Sequence, residues 1–189
     1  SPLIARPLHM ALALPWVLVL GARTPLGKTT GYGLCAVGFA CCAYIALNEI
    51  ALSDQYGSLE GELQHLIAAG LIVTVLEMAR RCIGWPLPLV ASLALAYGLF
   101  GQHLPGEFGH PGIPVASFLG TMTIAEGGLW GKLTAVSTGV VAVFVIMGAV
   151  LNAGEAGQGF MNLATAAAGR LRGGAAKVSV VSSALFGSV

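Results

Sequence analysis

The chain has 189 residues, 56% of them hydrophobic and only 9% charged, with a mean hydropathy of +0.84. A soluble domain carries about 25% charged residues, so this chain cannot coat itself with a hydrated surface, and a water-soluble domain is excluded. The net charge of +1 comes without any run of basic residues, so nothing points to nucleic acid as a partner.

The charged residues cluster and leave apolar stretches of helix length between them. A spanning helix needs roughly 20 mostly apolar residues, which predicts an all-α integral membrane protein with about five to six transmembrane helices. The first stretch, Leu8–Leu20, is short and contains Pro15, so Leu3–Pro7 is needed to complete a span. The second, Gly31–Leu47, is rich in small residues, and its Gly33/Val37 and Ala36/Ala40 spacings suggest close helix–helix contact. A third runs from His65 to Met78, a fourth from Trp85 to Phe100 and a fifth from Leu133 to Leu151. A sixth begins at Val178 and meets the end of the sequence at Val189; with Ser rather than Met at position 1, the expectation is a fragment. Residues 101–114, with four glycines and three prolines, read as a loop. Cys35, Cys41, Cys42 and Cys82 form no CxxC pair and read as small packing residues.

The charges between these stretches alternate in sign. Arg23 and Lys28 follow the first span, whereas Glu49, Asp54, Glu60 and Glu62 follow the second. Arg80 and Arg81 follow the third; Glu107 and Glu126, against Lys132, follow the fourth; Arg170, Arg172 and Lys177, against Glu155, follow the fifth. Basic loops stay on the cytoplasmic side of a membrane, which assigns 21–30, 80–84 and 152–177 to the cytoplasm. Arg6 is the misfit, because the N-terminus then lies outside. Phe160–Leu171 reads as a helix lying at the cytoplasmic interface, with Gly173-Gly174 as a helix stop before the chain re-enters the membrane.

Two groups of residues carry a family likeness. One is Gly148, then Asn152-Ala-Gly-Glu-Ala-Gly, Phe160, and Gly169-Arg-Leu-Arg-Gly-Gly-Ala-Ala-Lys-Val-Ser-Val-Val-Ser-Ser-Ala-Leu-Phe-Gly-Ser-Val. The other is Leu76-Glu-Met-Ala-Arg-Arg-Cys-Ile-Gly-Trp-Pro-Leu87. Over residues 32–189 the chain resembles the large membrane subunit of tripartite ATP-independent periplasmic (TRAP) transporters, in the branch that fuses small and large membrane subunits and pairs with TAXI-type binding proteins. The resemblance implies a multi-pass permease of the bacterial inner membrane that imports organic acids such as dicarboxylates. It also implies Na⁺ as the coupling ion, no other cofactor, a periplasmic substrate-binding protein as partner, and an elevator-type movement. It divides the chain into a small-subunit-like scaffold segment (1–65), scaffold and the start of the large-subunit-like region (66–151), a cytoplasmic arm helix (152–177) and the first half of a re-entrant hairpin (178–189).

Ser183, Gly187 and Ser188 lead into the Ser-Gly-Ser tip that the family uses for ion and substrate, and are the candidate binding residues. Broken, polar backbone at membrane depth is tolerated only where it faces protein or water, and discontinuous helices suit Na⁺ and anions. Ser179 and Ser182 read instead as packing residues that bond the preceding turn. Glu77, with Arg80 at i+3 and Arg81 at i+4, reads as an interfacial anchor, and Arg170, Arg172 and Lys177 as contacts to anionic headgroups. Glu126 and the acidic 49–62 segment with Tyr56 read as solvated loops, with docking of a binding protein as the sharper alternative. His103 and His110, seven residues apart, fit no metal pattern. No GxSxG motif occurs and His9 and His65 lie at span ends, so an intramembrane serine protease is not expected. The competing reading is a scaffold membrane subunit with no role in translocation.

Overall fold

The computed structural model describes residues 1–189 except 23, 155, 171, 188 and 189, and the side chains at 152, 156 and 185–187 fall outside the description too. Every regular element among the described residues is helical. The chain divides into two compact units, Ser1–Thr138 and Gly139–Val189.

The first unit opens with α1 (Pro2–Leu14), which runs into a π-helical turn over Pro15–Leu20. Pro15 has no N–H to give to the turn before it, so the ladder widens there instead of stopping. The helix thus takes in residues 2–7, as the short first stretch requires, and Pro2–Leu20 is long and apolar enough to cross a membrane. Thr24 caps α2 (Pro25–Leu47), accepting the Gly27 N–H at 3.1 Å. This helix too has the length and composition of a span. A short α3 (Glu49–Asp54) follows, and then α4 (Gly61–Ile83).

At 23 residues α4 is about 34 Å long, enough for a bilayer core of about 30 Å. Its ends are polar, with Glu62, Gln64 and His65 at one and Glu77, Arg80 and Arg81 at the other, so its apolar stretch is confined to Leu66–Leu76. The fourth expected stretch is helical over nearly the expected residues. Helix α5 (Pro86–Phe100) has 15 residues, about 22 Å, and does not reach across that core. The Gly/Pro-rich segment after it is closely folded. Two 3₁₀ turns, Gly101–His103 and Gly106–Phe108, precede α6 (Val115–Thr123), and a third, Gly128–Trp130, precedes α7 (Lys132–Val136).

Helix α2 packs on α1 and on α4, the π-helical turn Pro15–Leu20 also meets α4, and α4 holds α5 and α6. Their shared core includes Leu3, Ala11, Cys41, Cys42, Ile45, Ala68, Leu71, Ile124 and Trp130. Cys41 and Cys42 are therefore packing residues, as expected, and both are free thiols. The expected contact at Gly33 is corrected, because a side chain added there would meet nothing within 4 Å. The close approaches fall at Gly31, where an added Cβ would lie 2.0 Å from the Leu18 carbonyl oxygen, and at Gly38, where it would lie 2.8 Å from Thr74 Cγ2 and 2.9 Å from Leu14 Cδ1. These two glycines are seven residues apart, two turns along one face. Val37 does meet α4, since its Cγ1 stands 3.2 Å from where Gly70 would carry a Cβ.

The second unit holds α8 (Ala142–Ala153), α9 (Ala156–Ala168) and α10 (Gly174–Gly187). Lys132–Leu151 is helical throughout, has a mean hydropathy of 2.3, and buries none of its most apolar window within the chain. Apolar surface of that extent needs lipid or further protein to cover it. Helices α9 and α10 pack against each other on Ala164, Ala168 and Ser182. The turn between them requires Gly173, which has φ +72°. A helix is thus present over Ala156–Ala168, beginning four residues before the expected Phe160, and α10 begins at Gly174, four residues before the expected start of the last segment.

Candidate functional site

The densest polar constellation lies where the C-terminal end of α4 meets the turn between α1 and α2. In α4, Glu77, Arg80 and Arg81 fall within four residues, so helical periodicity places them on neighbouring positions of one face. Glu77 Oε2 accepts from Arg80 Nε at 2.6 Å, and Oε1 accepts from Arg80 Nη2 and Arg81 Nε, each at 2.7 Å. The ion pairs expected from the i+3/i+4 spacing are therefore formed.

Arg81 does more than the spacing indicates. Its Nη1 donates to the carbonyls of Leu18 and, at 3.1 Å, Gly27, and its Nη2 donates to Thr30 Oγ1 at 3.2 Å. The Leu18 carbonyl belongs to the last turn of its helix, where carbonyls run out of intrahelical donors, and the guanidinium supplies one. One buried side chain, 11% exposed, thus ties three helices together. Arg80 turns outward. It is 35% exposed and its guanidinium carbon lies 5.2 Å from the centre of the Trp85 ring, a cation–π contact. Gly21, Thr24, Gly27, Thr30, Arg80 and Arg81 line an open cleft of about 650 Å³ at this junction.

Arg6, which did not fit the charge alternation, is half-buried and donates to the Trp130 carbonyl, closing the last 3₁₀ turn of the unit. Its guanidinium thus serves a structural bond within the first unit. Trp130 is fully buried and its indole N–H donates to the Thr123 carbonyl.

His9 Nε2 and Ser137 Oγ lie 3.1 Å apart, a meeting of residues that sequence spacing does not reveal. Among the described residues no carboxylate pairs with this imidazole, as an activated nucleophile would require; the bond fastens α1 to Ser137 at the end of the first unit. His110 and His103 are not brought together. His110 accepts the Gly112 N–H on Nδ1 at 3.1 Å, which leaves Nε2 to donate to the Tyr97 carbonyl, also at 3.1 Å. His103 Nδ1 pairs with the Phe100 carbonyl.

The acidic 49–62 segment is anchored rather than merely solvated. Leu52 and Leu59 are buried, the Gln64 amide oxygen accepts the Glu60 N–H at 2.7 Å, and the Leu59 N–H reaches the Ala116 carbonyl. Tyr56 stands 95% exposed on a residue with φ +50°. Glu126 is exposed.

In α10, Ser179 Oγ donates to the Ala175 carbonyl at 3.1 Å and Ser182 is buried against α9, the packing roles expected of both. Ser183 is exposed, Gly187 closes the helix, and Ser188 lies outside the described residues. Arg170, Arg172 and Lys177 are exposed around the α9–α10 turn.

Among the described residues, wholly helical regular structure, three helices long and apolar enough to cross a bilayer, many exposed large apolar side chains and arginines gathered at a helix end define a membrane-embedded protein. Residues 71–189 match the family model of the tripartite ATP-independent periplasmic transporter, DctM component, and the chain belongs to that family. It is therefore a membrane component of a TRAP transporter, a family of transport proteins and not a class of enzymes. No curated protein and no solved structure matches the chain.

Proposed function

We propose that this chain forms part of the permease of a sodium-driven secondary transporter, which imports organic acids handed over by a periplasmic binding protein. Membership of the family over residues 71–189 is the observation that carries the reading. The alternation of basic and acidic loops supports a multi-pass arrangement in the bacterial inner membrane, with 21–30, 80–84 and 152–177 cytoplasmic. Five to six crossings follow if α4 spans and if α5 or α10 spans in company with other segments.

In this reading Ser183, Gly187 and Ser188 lead into a re-entrant tip that binds Na⁺ and substrate. The fused, TAXI-type branch is proposed from the Leu76–Leu87 stretch. The alternative, a scaffold subunit without a translocation role, is supported by the N-terminal unit, where Arg6, His9 and Arg81 join separate segments of the chain. Uptake of a panel of labelled organic acids into proteoliposomes, with and without the cognate binding protein, separates the two. Uptake that needs the binding protein and falls in Ser183→Ala while surviving in Ser179→Ala supports transport; uptake unchanged when this chain is omitted supports a scaffold.

A further inference from the structure

Three cavities adjoin along α4, and the share of polar lining falls from the first to the other two. The cleft at the α1–α2 turn is lined by the Thr24 and Thr30 side chains, glycines and the two arginines, together with Ala22 and Leu26. Next to it, sharing Arg80, an apolar groove of about 400 Å³ runs between Val73 and Leu76 of α4 and Trp85, Pro88 and Leu89 of α5. Sharing Leu76 with that groove, a third cavity of about 460 Å³ is lined almost wholly by carbon, including Ile72, Leu95, Phe118 and Met122.

Arg80 stands at the change from polar to apolar. Of its five N–H donors, Glu77 takes two, and the remaining three have no partner among the described residues. Both Glu77 oxygens are occupied by arginine donors, so two cations and one carboxylate leave the junction with one net positive charge. Trp85 flanks the guanidinium and is 64% exposed, as an aromatic side chain at the boundary between headgroups and hydrocarbon would be. A polar cationic cleft that opens into a carbon-lined groove along a membrane helix has the order of parts of one phospholipid: headgroup, then acyl chain.

We propose that this slot is a binding site for an anionic phospholipid, with its phosphate on the free donors of Arg80 and an acyl chain in the α4–α5 groove. The site rests on the membrane placement of the chain and not on its transport activity. The lipid would cover apolar surface that the first unit leaves open and would complete the hydrogen bonding of Arg80. It would also hold α5, too short to cross the bilayer core by itself, against α4.

The test uses the full-length protein in nanodiscs of phosphatidylcholine into which brominated phosphatidylglycerol or brominated phosphatidylcholine is titrated. The quenching absent from Trp85→Phe is assigned to Trp85. The expected result is a preference of roughly fivefold for the brominated anionic lipid, the scale of one basic side chain at an anionic surface, falling to about onefold in Arg80→Gln. Ser92→Phe fills the groove without touching the charged cluster, and is expected to abolish Trp85 quenching by either lipid while Lys177→Gln leaves it unchanged. Equal quenching by the two lipids in the parent protein, or a preference that survives Arg80→Gln, overturns the proposal. Absence of any Trp85 quenching also overturns it, because the groove is then covered by another segment or subunit.

Discussion

Replacing Arg81 by methionine removes four hydrogen bonds at once while keeping a long apolar stem in place. The losses are the bonds to Glu77, to the Leu18 and Gly27 carbonyls and to Thr30. A hydrogen bond to a charged group contributes about 1.5–3 kcal/mol, and an acceptor left unsatisfied adds a desolvation cost. Breaking a buried pair by removing one partner costs about 3–5 kcal/mol. Here water can reach part of the cleft and Glu77 keeps Arg80, so the expected loss is about 2–4 kcal/mol, or roughly 30- to 1000-fold in the opening equilibrium. The structure supplies the assay, because Cys41 and Cys42 are buried on α2, between the helices that Arg81 joins. In a Cys35→Ser, Cys82→Ser background, which removes the half-buried and the exposed thiols, the rate of labelling by a thiol-reactive fluorophore reports opening of that interface. Arg81→Met should raise that rate by a factor within the stated range. Arg80→Gln should raise it far less, because Arg80 is about one-third exposed and surface ion pairs contribute about 0–1 kcal/mol. Equal labelling in Arg81→Met and the parent protein, or a larger effect from Arg80→Gln, would refute the assignment of Arg81 as the fastening residue.

Gly38→Leu drives a side chain into Leu14 and Thr74 and should separate α2 from both neighbours, costing about 1–3 kcal/mol; a lower midpoint in detergent-titrated unfolding is the expected readout. Trp130→Phe removes the indole bond to Thr123 and leaves a void in the core, with an expected loss of about 2–3 kcal/mol on the same measurement. Tyr56→Asn places a residue that tolerates left-handed backbone at φ +50°, and should raise the unfolding midpoint slightly, on the order of 1 kcal/mol.

The class of the fold was legible because lipid solvation leaves a strong mark on sequence: long apolar stretches separated by clustered charges. The Glu77–Arg80–Arg81 anchor was legible for a similar reason, since helical periodicity alone brings those residues together. What the sequence hid are contacts set by how helices cross. Arg81 and Leu18 are 63 positions apart in sequence, and His9 and Ser137 are 128 apart. Neither pairing has a local signature. Gly33 and Gly31 are equivalent as letters, yet only Gly31 faces the Leu18 carbonyl, because the angle of approach selects the face. The end of α5 at Phe100 was legible, because the Gly/Pro-rich composition from Gly101 onward marks a break, and a 3₁₀ turn begins there. Ser183 and Gly187 were singled out by likeness to a family pattern, and the helix that carries them shows packing roles only for Ser179 and Ser182.

The account turns on coupled transport, and the most direct measurement imposes a sodium gradient on proteoliposomes that hold the full-length permease, with binding protein and organic acid at equal concentration inside and out. The account predicts that the acid accumulates above its external concentration and that a sodium ionophore abolishes the accumulation. Accumulation driven by a proton gradient alone and indifferent to sodium would contradict it.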